Sequence, residues 1–149
     1  MRVWPQTGGV PCPQCGFDPP TVSPSDAAVA LRSLPRRYRE LVDPDDPDPN
    51  IDVEARAATS AIAALGHDLE QVLVLDRPTL GPPSPLGPDD DLASVTTRVA
   101  DLVGRQPADA WSRVGVRDGE PVTALDLLRE AVHAGVHHLR IARRDFDVH

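Results

Sequence analysis

The sequence predicts an all-α protein organised as a four-helix bundle, and three observations carry that reading. Four segments repeat apolar residues at helical spacing, strand-like alternation is nearly absent, and proline-rich stretches separate the segments. A long connection between the second and third segments suits a bundle with one crossover. The chain of 149 residues is large enough for one domain with a real core. Hydrophobic residues make up 40% of it and aromatics only 3%, so that core must rest on Leu, Val and Ala.

Residues 1–24 hold six prolines and three glycines and read as an irregular N-terminal arm, with the bundle proper spanning 25–149. The first helix is expected over Ser23 to Val42, with Ser23 as N-cap and Pro24 at the first helical position. Pro35 should break or restart it, leaving Leu34, Tyr38, Leu41 and Val42 facing inward. "DPDDPDPN", Asp43 to Asn50, is expected to be a solvated loop; a calcium-binding reading is weak, since no glycine stands at the sixth place of an EF-hand loop. A second helix should run from about Val53 to Asp76, with Ile62, Leu65, Leu69, Val72 and Leu73 at helical spacing and His67 among them. "RPTLGPPSPLGPDDD" is the long crossover, and a third helix follows over about Asp89 to Gly104. The stretch around Trp111 reads as a turn region with an Asp118-Gly119 turn signal, Trp111 serving as a core or rim anchor. The fourth helix, about Val122 to Arg144, opens on a Thr123/Asp126 capping pair and carries Leu125, Leu128, Val132, Val136 and Leu139 as its stripe.

Charge and hydropathy narrow the function classes. The formal net charge is −8 and every basic residue is Arg, so a phosphate backbone is a poor partner. No apolar run of about 18 residues could cross a membrane, and the first residues lack the apolar centre of a signal peptide. A cytoplasmic protein, monomeric or homodimeric, with neither nucleic-acid nor membrane partners is the expectation.

Chemistry concentrates in the histidines. "VHAGVHHLR" holds three of the five in the chain. His133 and His137 are four apart on one helix and project from one face, a spacing suited to one divalent ion. Two ligands hold a metal poorly, and His67 on the second helix is a third candidate; three imidazoles with a vacant fourth position would make a catalytic zinc type of site. His138 lies about 100° round the helix from His137 and reads as a surface residue or a partner of a ligand. His149, the last residue, is expected to be disordered. Glu130 and Asp68 could accept hydrogen bonds from ligand imidazoles, and Glu130 could act as a base on a metal-bound water. A solvated helix face is the plainer reading of both. Arg140, Arg143 and Arg144 suit the negative end of the fourth helix, and binding an acidic thiol cofactor is a further option.

Cys12 and Cys15, in "PCPQCGF", form a knuckle able to supply two thiolates, half of a tetrahedral zinc site. Three readings stay open. The pair recruits two histidines from among His133, His137 and His67 and closes a site; it forms a separate site with other ligands; or it is a redox pair, least favoured because no βαβ pattern surrounds it. A site closed by four protein ligands leaves no room for substrate or water, whereas an open one makes the chain a candidate enzyme.

"CPQCGFD", "LPRRYREL", "GHDLEQVLVLDRPTL" and "VHAGVHHL" occur in that order. Together they resemble the DinB-like superfamily, specifically its actinobacterial members with an N-terminal C-x-x-C-G-F-D. The resemblance implies a four-helix bundle with a three-histidine metal site, one ligand from the second helix and two from the fourth, here His67, His133 and His137. It also implies the activities of relatives: mycothiol- and bacillithiol-dependent transferases and a thiol-dependent isomerase, in which the metal activates a low-molecular-weight thiol. The chain departs from the pattern in lacking a Trp-Ser pair ahead of His67, where it reads "VEARAATSAIAAL", and in a shortened crossover. Two functions are therefore expected: a zinc (or other divalent metal) dependent enzyme of the thiol-transferase type acting on a small molecule, with a low-molecular-weight thiol such as mycothiol as a further cofactor; or a non-catalytic, zinc-stabilised bundle that binds or scaffolds.

Overall fold

The computed structural model describes residues 12–13, 15–18, 22–83 and 85–148, with no side-chain account beyond residue 143. His149, the Arg144 side chain and the first eleven residues of the arm lie outside the described residues. Four helices, α1 (Pro24–Arg39), α2 (Pro49–Val74), α3 (Leu92–Gly104) and α4 (Ala124–Val148), make most of the fold, with a small hairpin of β1 (Val114–Arg117) and β2 (Glu120–Thr123) before α4.

The helix starts follow from their caps. The Ser23 hydroxyl accepts the Asp26 N–H at 3.1 Å, with Pro24 in the first turn. Asp48 caps α2 by accepting the Asn50 N–H at 2.9 Å, so the helix begins inside the aspartate-proline segment, ahead of the expected Val53. Asp91 and Ser94 form a reciprocal capping box on α3, at 2.7 and 3.0 Å. Thr123 and Asp126 do the same for α4.

Two expectations are corrected. Pro35 does not break α1, which runs through it to Arg39. A proline inside a helix costs about 3 kcal/mol, but Leu31, Leu34 and Tyr38 on either side of it are buried, each contributing roughly 1.5–3 kcal/mol. Because α1 stops at Arg39, the helical stripe does not extend to Leu41 and Val42: Leu41 is half-buried and Val42 exposed. The second correction is the turn region, which contains the hairpin. Asp118 (φ 55°) and Gly119 (φ 81°) occupy the two left-handed positions of a two-residue turn, which Asp-Gly satisfies at little strain. The hairpin pairs Val114 with Thr123 and Arg117 with Glu120.

In the bundle, α4 packs on α2 and α1, and α3 packs on the same two helices, so α1 and α2 sit diagonally. The long connection after α2 runs beside the hairpin, Thr79 bridging to Val116, with Leu80 buried. Arg113 closes the C-terminus of α2, donating to the carbonyls of Val72 (3.0 Å) and Leu75 (2.9 Å). Residues 131–139 of α4 are buried without interruption, so this stretch of the helix is enclosed on every side. Gly135 explains one side of that enclosure. A Cβ there would collide with the Leu34 side chain, and the bare backbone lets α1 come close enough for the Tyr38 hydroxyl to bond the Gly135 carbonyl at 2.9 Å. Trp111 is buried in the core.

Candidate metal centre

Gly135 faces α1, about 200° round the helix from both His133 and His137. The histidines thus face the opposite way, and the N-terminal knuckle covers them. The knuckle is a tight turn closed on itself: the Gly16 N–H bonds the Cys12 carbonyl, and the Cys12 N–H bonds the Phe17 carbonyl, both at 2.7 Å. Gly16 takes φ 77°, a left-handed conformation that a side chain would strain. Arg140 of α4 donates to the Cys15 carbonyl, and Arg129 donates to the Val22 carbonyl at 2.9 Å, holding the arm a second time further along. Phe17 stacks on the His133 ring, with centroids 5.3 Å apart and planes 13° from parallel.

This docking brings Cys12, Cys15, His133 and His137 into one buried group whose donor atoms all lie within 4.8 Å of one another. The Cys12 sulfur lies 4.0 Å from Nδ1 of His137. In a tetrahedral zinc site with bonds of about 2.3 Å to sulfur and 2.0 Å to nitrogen, donors stand roughly 3.3–3.8 Å apart. The group therefore needs only a small contraction to close on an ion. Among the described residues Nε2 of His133 is buried with no hydrogen-bond partner, which leaves it available to a metal; Nε2 of His138 is in the same state. Two thiolates, two neutral imidazoles and one divalent cation sum to zero charge, so the filled centre can be enclosed without stranding an ion in the core.

Electrostatics prepare the donors unequally. Burial, reinforced by the nearby imidazoles and Arg140, pushes the His133 pKa down to about 4 and keeps its ring neutral, the form that binds metal. Burial pushes the Cys15 thiol up, and Cys12 beside it adds to the rise; the Phe17 N–H and Arg140 work the other way. Both cysteines are free thiols.

His67 does not join this group. It is exposed on α2, lines a cleft against α3 with Glu70, Arg98 and Arg105, and its Nε2 is 2.9 Å from the Gln71 amide. Helix geometry explains the placement. His67 is about 140° from Ile62 and about 160° from both Leu65 and Leu69, the residues α2 buries. His138 is buried rather than a surface residue, with Nδ1 2.6 Å from a Glu54 carboxylate oxygen on α2. Glu130 spends both carboxylate oxygens on Arg117, at 2.6 and 3.1 Å, and so fastens the hairpin to α4 instead of serving a ligand. Asp68 is buried, and its charge acts on Arg117.

The sequence reading did not single out the Phe17 stack or the Arg140 clasp, and only the "CGF" after the second cysteine hinted at the former. No family model, curated protein or solved structure matches the chain.

Proposed function

We propose that Cys12, Cys15, His133 and His137 hold one zinc ion in a closed structural site, and that the protein is a zinc-stapled helical bundle that binds or scaffolds rather than catalyses at its metal. The observation that carries this reading is the convergence of four buried donors from the arm and α4. Two soft thiolates with two imidazoles select zinc over the oxygen-preferring cations. Four protein ligands complete a tetrahedron, so neither water nor a thiol substrate has a coordination position left. The ion joins segments more than a hundred residues apart and closes the loop formed by the intervening chain, which fits a contribution to folding.

The order of motifs supports placing the chain in the DinB-like group. Within such a bundle, the two cysteines would take the part that His67 takes in a three-histidine site. An open site would be the starting point for thiol-transferase chemistry with mycothiol or a similar cofactor, and the outward placement of His67 weighs against it. The thiolate ligands suit a reducing cytoplasm, and no helix among the described residues is long and apolar enough to cross a membrane.

The test is elemental analysis of zinc per chain in the Cys12→Ser/Cys15→Ser double variant and in His67→Ala. The double variant should lose its ion and His67→Ala should keep it. An ion kept by the double variant and lost from His67→Ala would overturn the closed site in favour of the open, three-histidine one.

A further inference from the structure

The aspartate-proline segment "DPDDPDPN" has no part in the metal centre, and it borders a groove of about 500 Å³ that none of the four ligands lines. The end of α1, the segment itself, the first turns of α2 and the start of α3 form its walls. Pro35, Tyr38, Val42, Pro47, Ile51 and Leu92 give it an apolar lining. Val42 is 51% exposed and continues the apolar surface of the groove out to solvent. The Tyr38 hydroxyl is committed to the Gly135 carbonyl and offers nothing to a ligand. A small polar molecule would therefore find few groups in the groove to orient it. Bulky apolar side chains would find a matching surface.

The rim supplies the sign of the partner. Asp48 and Asp52 line the groove, and Asp43, Asp45 and Asp46 are exposed in the segment between its lining residues Val42 and Pro47; Arg39 is the one cation among the described residues that line it. Asp43 and Asp48 accept backbone N–H groups, which leaves their charge intact. Asp52 faces an exposed Arg56 at 3.5 Å, a pair that solvent screens. Pro44, Pro47 and Pro49 fix the backbone of the rim, so little order remains to be imposed on binding. A second copy of this chain would bring its own net charge of −8, and a bilayer surface would bring anionic headgroups; the rim repels both.

We infer that this groove docks a linear segment of a partner protein in which bulky aliphatic side chains alternate with Arg or Lys. The aliphatic groups enter the groove, and the cations meet the aspartate rim. This deepens the binding reading proposed above by naming the surface and the chemistry of what it holds.

The experiment is fluorescence anisotropy of the zinc-loaded protein with three labelled peptides of equal length. One alternates Leu with Arg, one has Glu in place of Arg, and one has Ser in place of Leu. The Leu/Arg peptide should bind about tenfold or more tighter than either counterpart, and its affinity should fall as salt rises. Val42→Arg, a surface change, should remove about tenfold of that affinity, and Asp45→Asn/Asp46→Asn should weaken both binding and its salt dependence. Equal binding of all three peptides, no binding, or an affinity indifferent to Val42→Arg would overturn the inference. Self-association abolished by Val42→Arg would overturn it too, by assigning the groove to a second copy. Zinc per chain in Val42→Arg is measured alongside and should equal that of the parent. A groove that fails with the ion still in place leaves the metal reading standing, and an ion lost from the cysteine variants bears on that reading alone.

Discussion

His133 and His137 on α4 and His67 on α2 are the same residue type at helical positions, yet the fold sets them in different surroundings. The α4 pair lies on a stretch of helix enclosed on every side, under a knuckle that brings two thiols to it. His67 lies on the side of α2 turned away from Ile62, Leu65 and Leu69, in a cleft with two arginines and a glutamate. A histidine becomes a candidate ligand when its face of the helix is covered by something that carries donors. Membership in an apolar-looking segment is not enough.

The largest effect that sharpens this contrast is chelation. Removing zinc from the intact protein should lower the melting temperature by roughly 10 °C or more, since structural zinc contributes several kcal/mol to folding and 1 kcal/mol shifts a chain of this size by about 2–4 °C. Differential scanning calorimetry with and without a strong chelator reads it. A melting temperature unmoved by chelation would erase the difference between the two helix faces.

Proton release comes next. In the metal-free chain at neutral pH, Cys15 is protonated because burial raises its thiol, whereas His133, pushed down to about 4, is already neutral. Zinc uptake must therefore expel a thiol proton and none from His133. Affinity should rise with pH between 6 and 8 by about tenfold per unit for each proton displaced. Calorimetric titration in two buffers of different ionisation enthalpy counts the protons. Uptake without proton release would contradict a thiolate-bound ion.

Gly135→Ala probes the back of the same helix. Its Cβ would strike Leu34 and push α1 away, costing about 1–3 kcal/mol by overpacking while the histidines keep their places. Denaturant unfolding should show the loss, with zinc per chain unchanged. His67→Ala is the smallest change, within about 0.5 kcal/mol of the parent, as expected of an exposed side chain. A large loss there would mean that the α2 histidine is structural after all.

Much of this arrangement was legible in the residues. The helix spacing, the Ser23 and Thr123/Asp126 caps and the Asp-Gly turn all act locally, and local rules predict them. The Cys12/Cys15 pair and the His133/His137 pair were each visible as half of a site. The choice of which halves meet was not, because it depends on the arm folding back over α4, a contact between residues far apart in the chain. The outward direction of His67 could have been read by measuring its angle from Leu65 and Leu69 instead of noting that it lay among them. The passage of α1 through Pro35 could not, since it depends on how much burial Leu31, Leu34 and Tyr38 gain from the other helices. Nor did the short hairpin declare itself: its strands are four residues each and one begins with Glu120-Pro121.

X-ray absorption at the zinc edge of the purified, unmodified protein tests the central claim most directly, because it reports the donor set of the bound ion. A closed site predicts four neighbours, two sulfurs at about 2.3 Å and two nitrogens at about 2.0 Å. A shell of nitrogen and oxygen alone, with no sulfur, would contradict it and return the metal to the histidines without the knuckle.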